Sequence, residues 1–226
     1  DLRAFQLTCH PDSVDFRFGY EGVESRLHFA MPGAFSVRNA LAAMGACLQL
    51  GVCLETITGA LSEVKGVRGR NENLTPGREF TVICDYAHTP DSIENILGAL
   101  KETVKGRLIA LFGCGGDRDR TKRPLMGEAA AEHSDFVIVT SDNPRTEDPD
   151  AIIAEILPGV EGKNTPYKVI PNRREAIFYA VENAKPGDTI VLCGKGHEDY
   201  QIIGHEKHHF DEREVVAEAV AARDGK

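Results

Sequence analysis

From residue 80 onward, short uninterrupted apolar runs alternate with helical patterns, and this alternation restricts the possible folds more than any other feature. The runs are Phe80 to Cys84, Leu108 to Phe112, Phe136 to Thr140, Tyr167 to Ile170 and Thr189 to Cys193. A run with no polar alternation predicts a strand buried on both faces, which requires a sheet covered by helices on each side. Between the first two runs, Ile93, Ile96, Leu97, Leu100 and Val104 make one helical stripe, with Thr89 as N-cap and Pro90 at the first helical position. Later helices are expected to begin near Asp148-Pro149, Asn172 and Asp211, the last with Glu214 in a capping box. The expected class is α/β, with a Rossmann-like, doubly wound and mostly parallel sheet.

The preceding residues follow a different pattern. Ala4 to Cys9, Val14 to Tyr20 and Leu27 to Ala30 alternate polar and apolar residues, separated by His10-Pro11-Asp12-Ser13 and Glu21-Gly22, which predicts an antiparallel meander. Two helices should follow, one carrying Val37, Leu41, Met44 and Leu48 and ending at Gly51, the other carrying Ile57, Leu61 and Val64. Asn73-Leu74-Thr75-Pro76-Gly77 is the expected linker, so that 1–76 and 77–226 form separate domains.

Composition narrows the function. The 226 residues hold 26 Lys+Arg against 35 Asp+Glu, a formal charge of −9, which disfavours wholesale binding to nucleic acid or to an anionic membrane. No apolar run approaches the roughly 20 residues of a membrane span. The six cysteines contain no C-x-x-C pair and lie mostly in apolar stretches, as expected of reduced thiols in a cytoplasmic protein. The chain opens at Asp1-Leu2-Arg3, already in strand-like sequence, and is expected to be part of something longer.

Polar and glycine-rich clusters follow the strands directly, where such sheets bind ligands. They are Asp85-Tyr86-Ala87-His88-Thr89-Pro90, Gly113 to Arg120, Ser141-Asp142-Asn143-Pro144-Arg145 and Gly194-Lys195-Gly196-His197-Glu198. In the second, the glycines let backbone approach a ligand, and Arg118, Arg120, Lys122 and Arg123 offer charge to a carboxylate or phosphate. Arg118 stands where a dinucleotide G-x-G-x-x-G fingerprint needs its third glycine, so a nicotinamide enzyme is disfavoured. Asn143 can donate and accept, Arg145 can grip a carboxylate with two parallel bonds, and Glu198 can accept from an ammonium. Plain solvated turns are the competing reading of each cluster. His205, His208 and His209 match no common zinc spacing, and no metal site is expected. Asn39, at the head of the first helix, reads as a cap or a ligand contact, and Gly69-Arg70-Asn71-Glu72 places an Arg near the domain junction.

Taken in order, Gly33 to Asn39, Gly69 to Glu72, Asp85 to Pro90, Gly115 to Arg118, Asp142 to Arg145 and Gly194 to Glu198 resemble the muramyl ligases, in particular the branch that adds diaminopimelate. The resemblance covers essentially the whole chain. It implies the end of a central ATPase domain over 1–76 and a carboxyl-terminal amino-acid-binding domain over 77–226. It also implies an ATP- and Mg2+-dependent ligase that adds meso-diaminopimelate to UDP-N-acetylmuramoyl-L-alanyl-D-glutamate through an acyl phosphate, as a cytoplasmic monomer. On this resemblance Asn39, Arg70, Asp85 and His88 face the nucleotide, Arg70 and Asp85 being catalytic. Arg118, Asp142, Asn143, Pro144, Arg145, Gly194 and Glu198 hold the amino acid. Ser36 and Asn71 depart from the family pattern, which often has Asn and an apolar residue at those places.

No phosphate-binding G-x-x-x-x-G-K-[ST] occurs in the sequence, so this chain alone is expected to be inactive. The alternatives are a lysine-adding muramyl ligase, a relative of folylpolyglutamate synthetase, or a non-catalytic anion-binding Rossmann module.

Overall fold

In the computed structural model, which describes residues 1–10 and 13–225, three antiparallel strands open the chain: β1 (Arg3–Cys9), β2 (Val14–Tyr20) and β3 (Val23–Phe29). Val14, Phe16 and Phe18 of β2 alternate inward and meet Val37, Ala40 and Met44 of α1 (Ala34–Gln49) and Ile57 of α2 (Leu54–Glu63) in a single core. The expected break at Pro11-Asp12 lies outside the described residues. Strand β3 begins four residues before the expected Leu27. Glu21 and Gly22 both take positive φ, the two-residue turn that pairs Tyr20 directly with Val23, and the exposed Val23 to Arg26 carry no inward pattern.

The chain divides into compact units at Val67/Arg68, before the expected linker. Glu72–Asn73 forms a short strand, β4, antiparallel to β5 (Thr81–Asp85). The Thr75 hydroxyl donates to the Phe80 carbonyl and accepts from the Val82 amide, so 73–77 is a turn built into the second unit.

In that unit α3 (Pro90–Lys101), β6 (Leu108–Phe112), α4 (Lys122–His133), β7 (Phe136–Val139), α5 (Pro149–Glu161), β8 (Tyr167–Val169), α6 (Arg173–Glu182) and β9 (Thr189–Cys193) alternate along the chain. The sheet order is β4-β5-β9-β6-β7-β8, all parallel except β4. Ile109 and Leu111 of β6 and Ile190 and Leu192 of β9 pack on α6 and on α7 (Glu212–Asp224). The alternate residues Ala110, Phe112, Val137 and Val139 are equally buried, and α3, α4 and α5 lie against β6 and β7. Burial on both faces is why these strands read as unbroken apolar runs.

Thr89, Asp148, Asn172 and Asp211 all cap helices with their side chains. The capping box expected at Asp211 is incomplete: Glu214 turns instead to His209, 2.6 Å away. His209 belongs to the hairpin β10 (Tyr200–Ile203)–β11 (Glu206–His209), which the sequence reading omitted because its residues are mostly exposed and polar.

Two fully buried arginines carry ion pairs in this unit. Fully buried Arg173, at the start of α6, meets fully buried Glu212, at the start of α7, at 2.8 Å. Its remaining N–H groups donate to the carbonyls of Cys193 and Ser141. Arg123 of α4, also fully buried, donates to Glu147 and Glu155 at 2.7 Å. Its bond to Glu147, with the Asp117 amide, pulls the Glu147 carboxyl down to about 2.

Removing one partner of a buried pair leaves the other charge uncompensated, so Glu212→Ala should destabilise the second unit by roughly 3–5 kcal/mol in chemical denaturation. Pairing it with Arg173→Met should recover part of that loss. Glu147 is ionised in the fold at pH values where the unfolded chain protonates it. It therefore contributes stability above its ordinary pKa of 4.5 that is lost as pH falls toward about 2. Thermal melts between pH 5 and pH 2 should show a shallower decline for Glu147→Gln than for the unaltered protein.

Candidate functional site

Because β5, β9, β6 and β7 are adjacent and parallel, their following loops emerge on one edge of the sheet. All four polar clusters therefore sit on one rim, around a cavity of about 250 Å³. Arg118, Lys122 and Arg145 line it together with Asp142, Glu198, Asn143, Gly194, Tyr86 and His88. A cavity lined by charges of both signs suits a small zwitterion. Cys114 and Met126 complete the wall. Burial pushes the Cys114 thiol up to about 12, so it is protonated and serves as surface rather than as a nucleophile.

Gly113 and Gly115 line the cavity directly. A Cβ on Gly116 would lie 1.9 Å from the Pro144 carbonyl, and one on Gly113 2.2 Å from that of Thr140. The glycines of this stretch therefore also permit two loops to touch. The Gly116 amide donates to the Asn143 carbonyl and Arg145 donates to the Gly116 carbonyl at 2.8 Å. Of the four cations in this stretch, Arg123 is buried among carboxylates and Arg120 pairs with Glu155. Arg118 and Lys122 alone face the cavity, because α4 turns the others toward α5.

Arg145 adopts positive φ, rare for a side chain of its size. It is held there by the hairpin: its amide donates to the Ile202 carbonyl, and its carbonyl accepts from the Gly204 amide. Asn143 accepts from the Ile202 amide and from Lys195 through Oδ1, while Nδ2 donates to Glu198 Oε2 at 2.9 Å. Asp142 is buried, and its backbone carbonyl accepts from Gln201. Pro144 is buried as well and contributes backbone only, outside the cavity lining. A side chain on Gly194 would strike Asp142 Oδ2 at 2.6 Å.

His88 lines this cavity, and Arg70 and Asp85 lie beside it in the same unit. The Arg70 guanidinium stacks over the Tyr86 ring at 4.9 Å, and the His88 and His197 rings lie 4.6 and 5.0 Å from it. Asp85 does not line the cavity: Oδ1 accepts from the Ala87 amide and Oδ2 from the Asn71 amide. Burial raises its pKa, with these two amides opposing. Asn39 lies in the other unit, exposed within α1 and past its first turn, so it is not a cap. Ser36 donates to the Pro32 carbonyl at 2.7 Å, a structural bond. Among the described residues no three His, Cys, Asp or Glu side chains converge as a metal site, and no helix is long and apolar enough to cross a membrane.

Two residues at the site escaped the sequence reading of roles. Tyr86 is the ring on which Arg70, His88 and His197 gather, and Lys195 is fully buried behind the cavity. A lysine bracketed by Gly194 and Gly196 on a strand end was the available signal.

Comparison with known proteins identifies the family of the chain. The model of the Mur ligase, glutamate ligase domain matches residues 69–196. The UDP-N-acetylmuramoyl-L-alanyl-D-glutamate--2,6-diaminopimelate ligase of Syntrophomonas wolfei is 50% identical over 224 residues, covering 99% of this chain and 46% of that protein. Its counterpart in Caldanaerobacter subterraneus is 53% identical over 208 residues, covering 92% of this chain and 43% of its own length. A solved structure of a ligase of the same name superposes with a TM-score of 0.71 at 38% identity, covering 99% of this chain and 46% of its own. Folylpolyglutamate synthase of Mycobacterium tuberculosis, at 19% identity and a TM-score of 0.67 over 85% of this chain and 45% of its own, shares the fold. The chain thus spans slightly less than half of these relatives, and over that span it belongs to the Mur ligase family.

Proposed function

We propose that this chain is the amino-acid-receiving part of an ATP-dependent ligase that joins meso-diaminopimelate to UDP-N-acetylmuramoyl-L-alanyl-D-glutamate. The observation that carries the reading is a cavity lined by cations and carboxylates together, Arg118 and Arg145 with Asp142 and Glu198. Diaminopimelate carries an ammonium and a carboxylate at each end. Arg145 and the free N–H of Asn143 suit the distal carboxylate, while Glu198 and the Gly194 carbonyl suit the ammonium beside it. Arg118 is placed for the carboxylate next to the reacting amine. Lysine lacks the distal carboxylate and would leave the Arg145 guanidinium partly desolvated without its partner.

In such a reaction ATP phosphorylates the glutamyl γ-carboxylate. The bound amine then attacks the acyl phosphate, and the tetrahedral intermediate expels phosphate to leave an amide. The contribution of these residues is positioning: they fix both ends of the zwitterion so that one amine is presented to the acyl carbon. Arg70, stacked on Tyr86 beside His88, offers a π-faced, cationic surface suited to a nucleotide. Asp85 acts here by holding the Asn71 amide and hence the Arg70 segment. Among the described residues no side chains assemble a magnesium site. A cytoplasmic setting fits six free thiols.

In the full-length enzyme, Arg145→Ala should raise the KM for diaminopimelate and remove about 2–4 kcal/mol of its preference over lysine, measured as the ratio of kcat/KM values. An unchanged ratio would return residues 141–145 to the status of a plain turn. On the nucleotide side, Arg70→Ala should lower turnover with an unchanged Tm. Asp85→Ala should lower both, because two backbone amides lose their acceptor.

A further inference from the structure

Lys195 has no solvent exposure, an unusual place for an ammonium, and its surroundings explain how it is tolerated. Its Nζ donates to Asn143 Oδ1 at 3.0 Å and to Glu198 Oε2 at 3.3 Å, and lies 3.9 Å from Asp142 Oδ1. The Tyr200 ring is 5.8 Å away. One cation thus serves two carboxylates that both line the cavity, leaving the group with a net charge of −1 by formal count.

These contacts decide two orientations. Asn143 Oδ1 faces two donors, Lys195 Nζ and the Ile202 amide, so reversing the carboxamide would set its NH2 group against both. The carboxamide is therefore fixed with Nδ2 toward Glu198. Glu198 in turn receives both its bonds, from Asn143 Nδ2 and Lys195 Nζ, on the same oxygen, Oε2. Among the described residues nothing donates to Oε1. What remains uncommitted is one N–H of Asn143 and one oxygen of Glu198, a donor and an acceptor side by side on the cavity wall.

We propose that Lys195 is a positioning residue for the amino acid, acting through Asn143 and Glu198 without touching the ligand. It fixes the carboxamide and the carboxylate so that the free N–H and the free Oε1 match the carboxylate and ammonium of one zwitterionic end. This rests on the amino-acid-binding reading above. Without the ammonium, Asn143 Oδ1 keeps only the Ile202 amide to hold its orientation, and Glu198 faces Asp142 with no intervening cation. The cost falls on amino-acid binding, whereas the Arg70 and Tyr86 surface is not addressed by any of these bonds.

The test uses the full-length enzyme with Lys195→Met, Glu198→Gln and the double variant, measuring Tm, kcat and both KM values with meso-diaminopimelate and ATP. The expected result for Lys195→Met is a rise of about tenfold or more in the KM for diaminopimelate, with the KM for ATP within about twofold of the parent. The double variant should cost clearly less than the sum of the two single variants, because part of the lysine's action passes through the carboxylate already neutralised. Should Lys195→Met fail to fold, Lys195→Gln, which retains one donor for Asn143, must show the same split between the two KM values. Equal changes in both KM values, or costs that simply add in the double variant, would overturn the proposal and leave Lys195 as structural support. If Glu198→Gln itself left the KM for diaminopimelate unchanged, the fault would lie instead with the amino-acid-binding reading.

Discussion

The pairing of Arg173 with Glu212 in the interior is the constraint from which the rim takes its shape. One guanidinium joins the first residues of α6 and α7 and also donates to the carbonyls that end β9 and follow β7. The Cys84 thiol near the end of β5 donates to the same glutamate and to the Gly196 carbonyl. Burial, reinforced by that carboxylate, pushes the thiol well above its ordinary pKa, so it stays a neutral donor. Three strand ends are thereby tied to one charge pair. Burial alone would favour the neutral form of Arg173, but the carboxylates of Glu212 and Asp142 outweigh it and hold the guanidinium charged.

Above that pair, loops are locked to one another rather than left to solvent. Gly116 and Gly113 allow backbone-to-backbone contact with 140–144, and the β10–β11 hairpin holds Asn143 and Arg145 by main-chain bonds. Gly69 and Gly196, both at positive φ, make a similar close crossing: a Cβ on Gly69 would lie 2.1 Å from the His197 amide. Near it, Arg213 of α7 reaches Glu72 at 2.9 Å and Arg68 reaches Asp211 at 2.8 Å. The segment carrying Arg70 is thus fastened to the same rim as the amino-acid cavity. A site held by such bonds keeps its charges in place before any ligand arrives, which is what positioning catalysis requires.

The family resemblance and this geometry answer different questions. Near 50% identity to ligases named for diaminopimelate places the chain in the Mur family, whereas the shared fold with a folylpolyglutamate synthase shows that the architecture alone does not select an amino acid. Selection has to come from individual side chains. Arg145 and Glu198 line one cavity, and Lys195 reaches Glu198 from a fully buried position.

By itself, the sequence determined the parallel sheet, its helices, most of their caps and the four clusters on one rim, because burial periodicity and capping are local properties. It also supplied Arg118, Asn143, Arg145 and Glu198 as polar residues at strand ends. Only the tertiary structure decided which charges are available. Arg120 and Arg123 look no different in sequence from Arg118, yet they are neutralised by Glu147 and Glu155 from a later part of the chain. Asp85 reads as a free carboxylate and turns out to cap backbone amides, one of them 14 residues away in sequence. The hairpin of exposed polar residues, the unit boundary at Val67 and the burial of Lys195 had no local signature, since each depends on partners far along the chain.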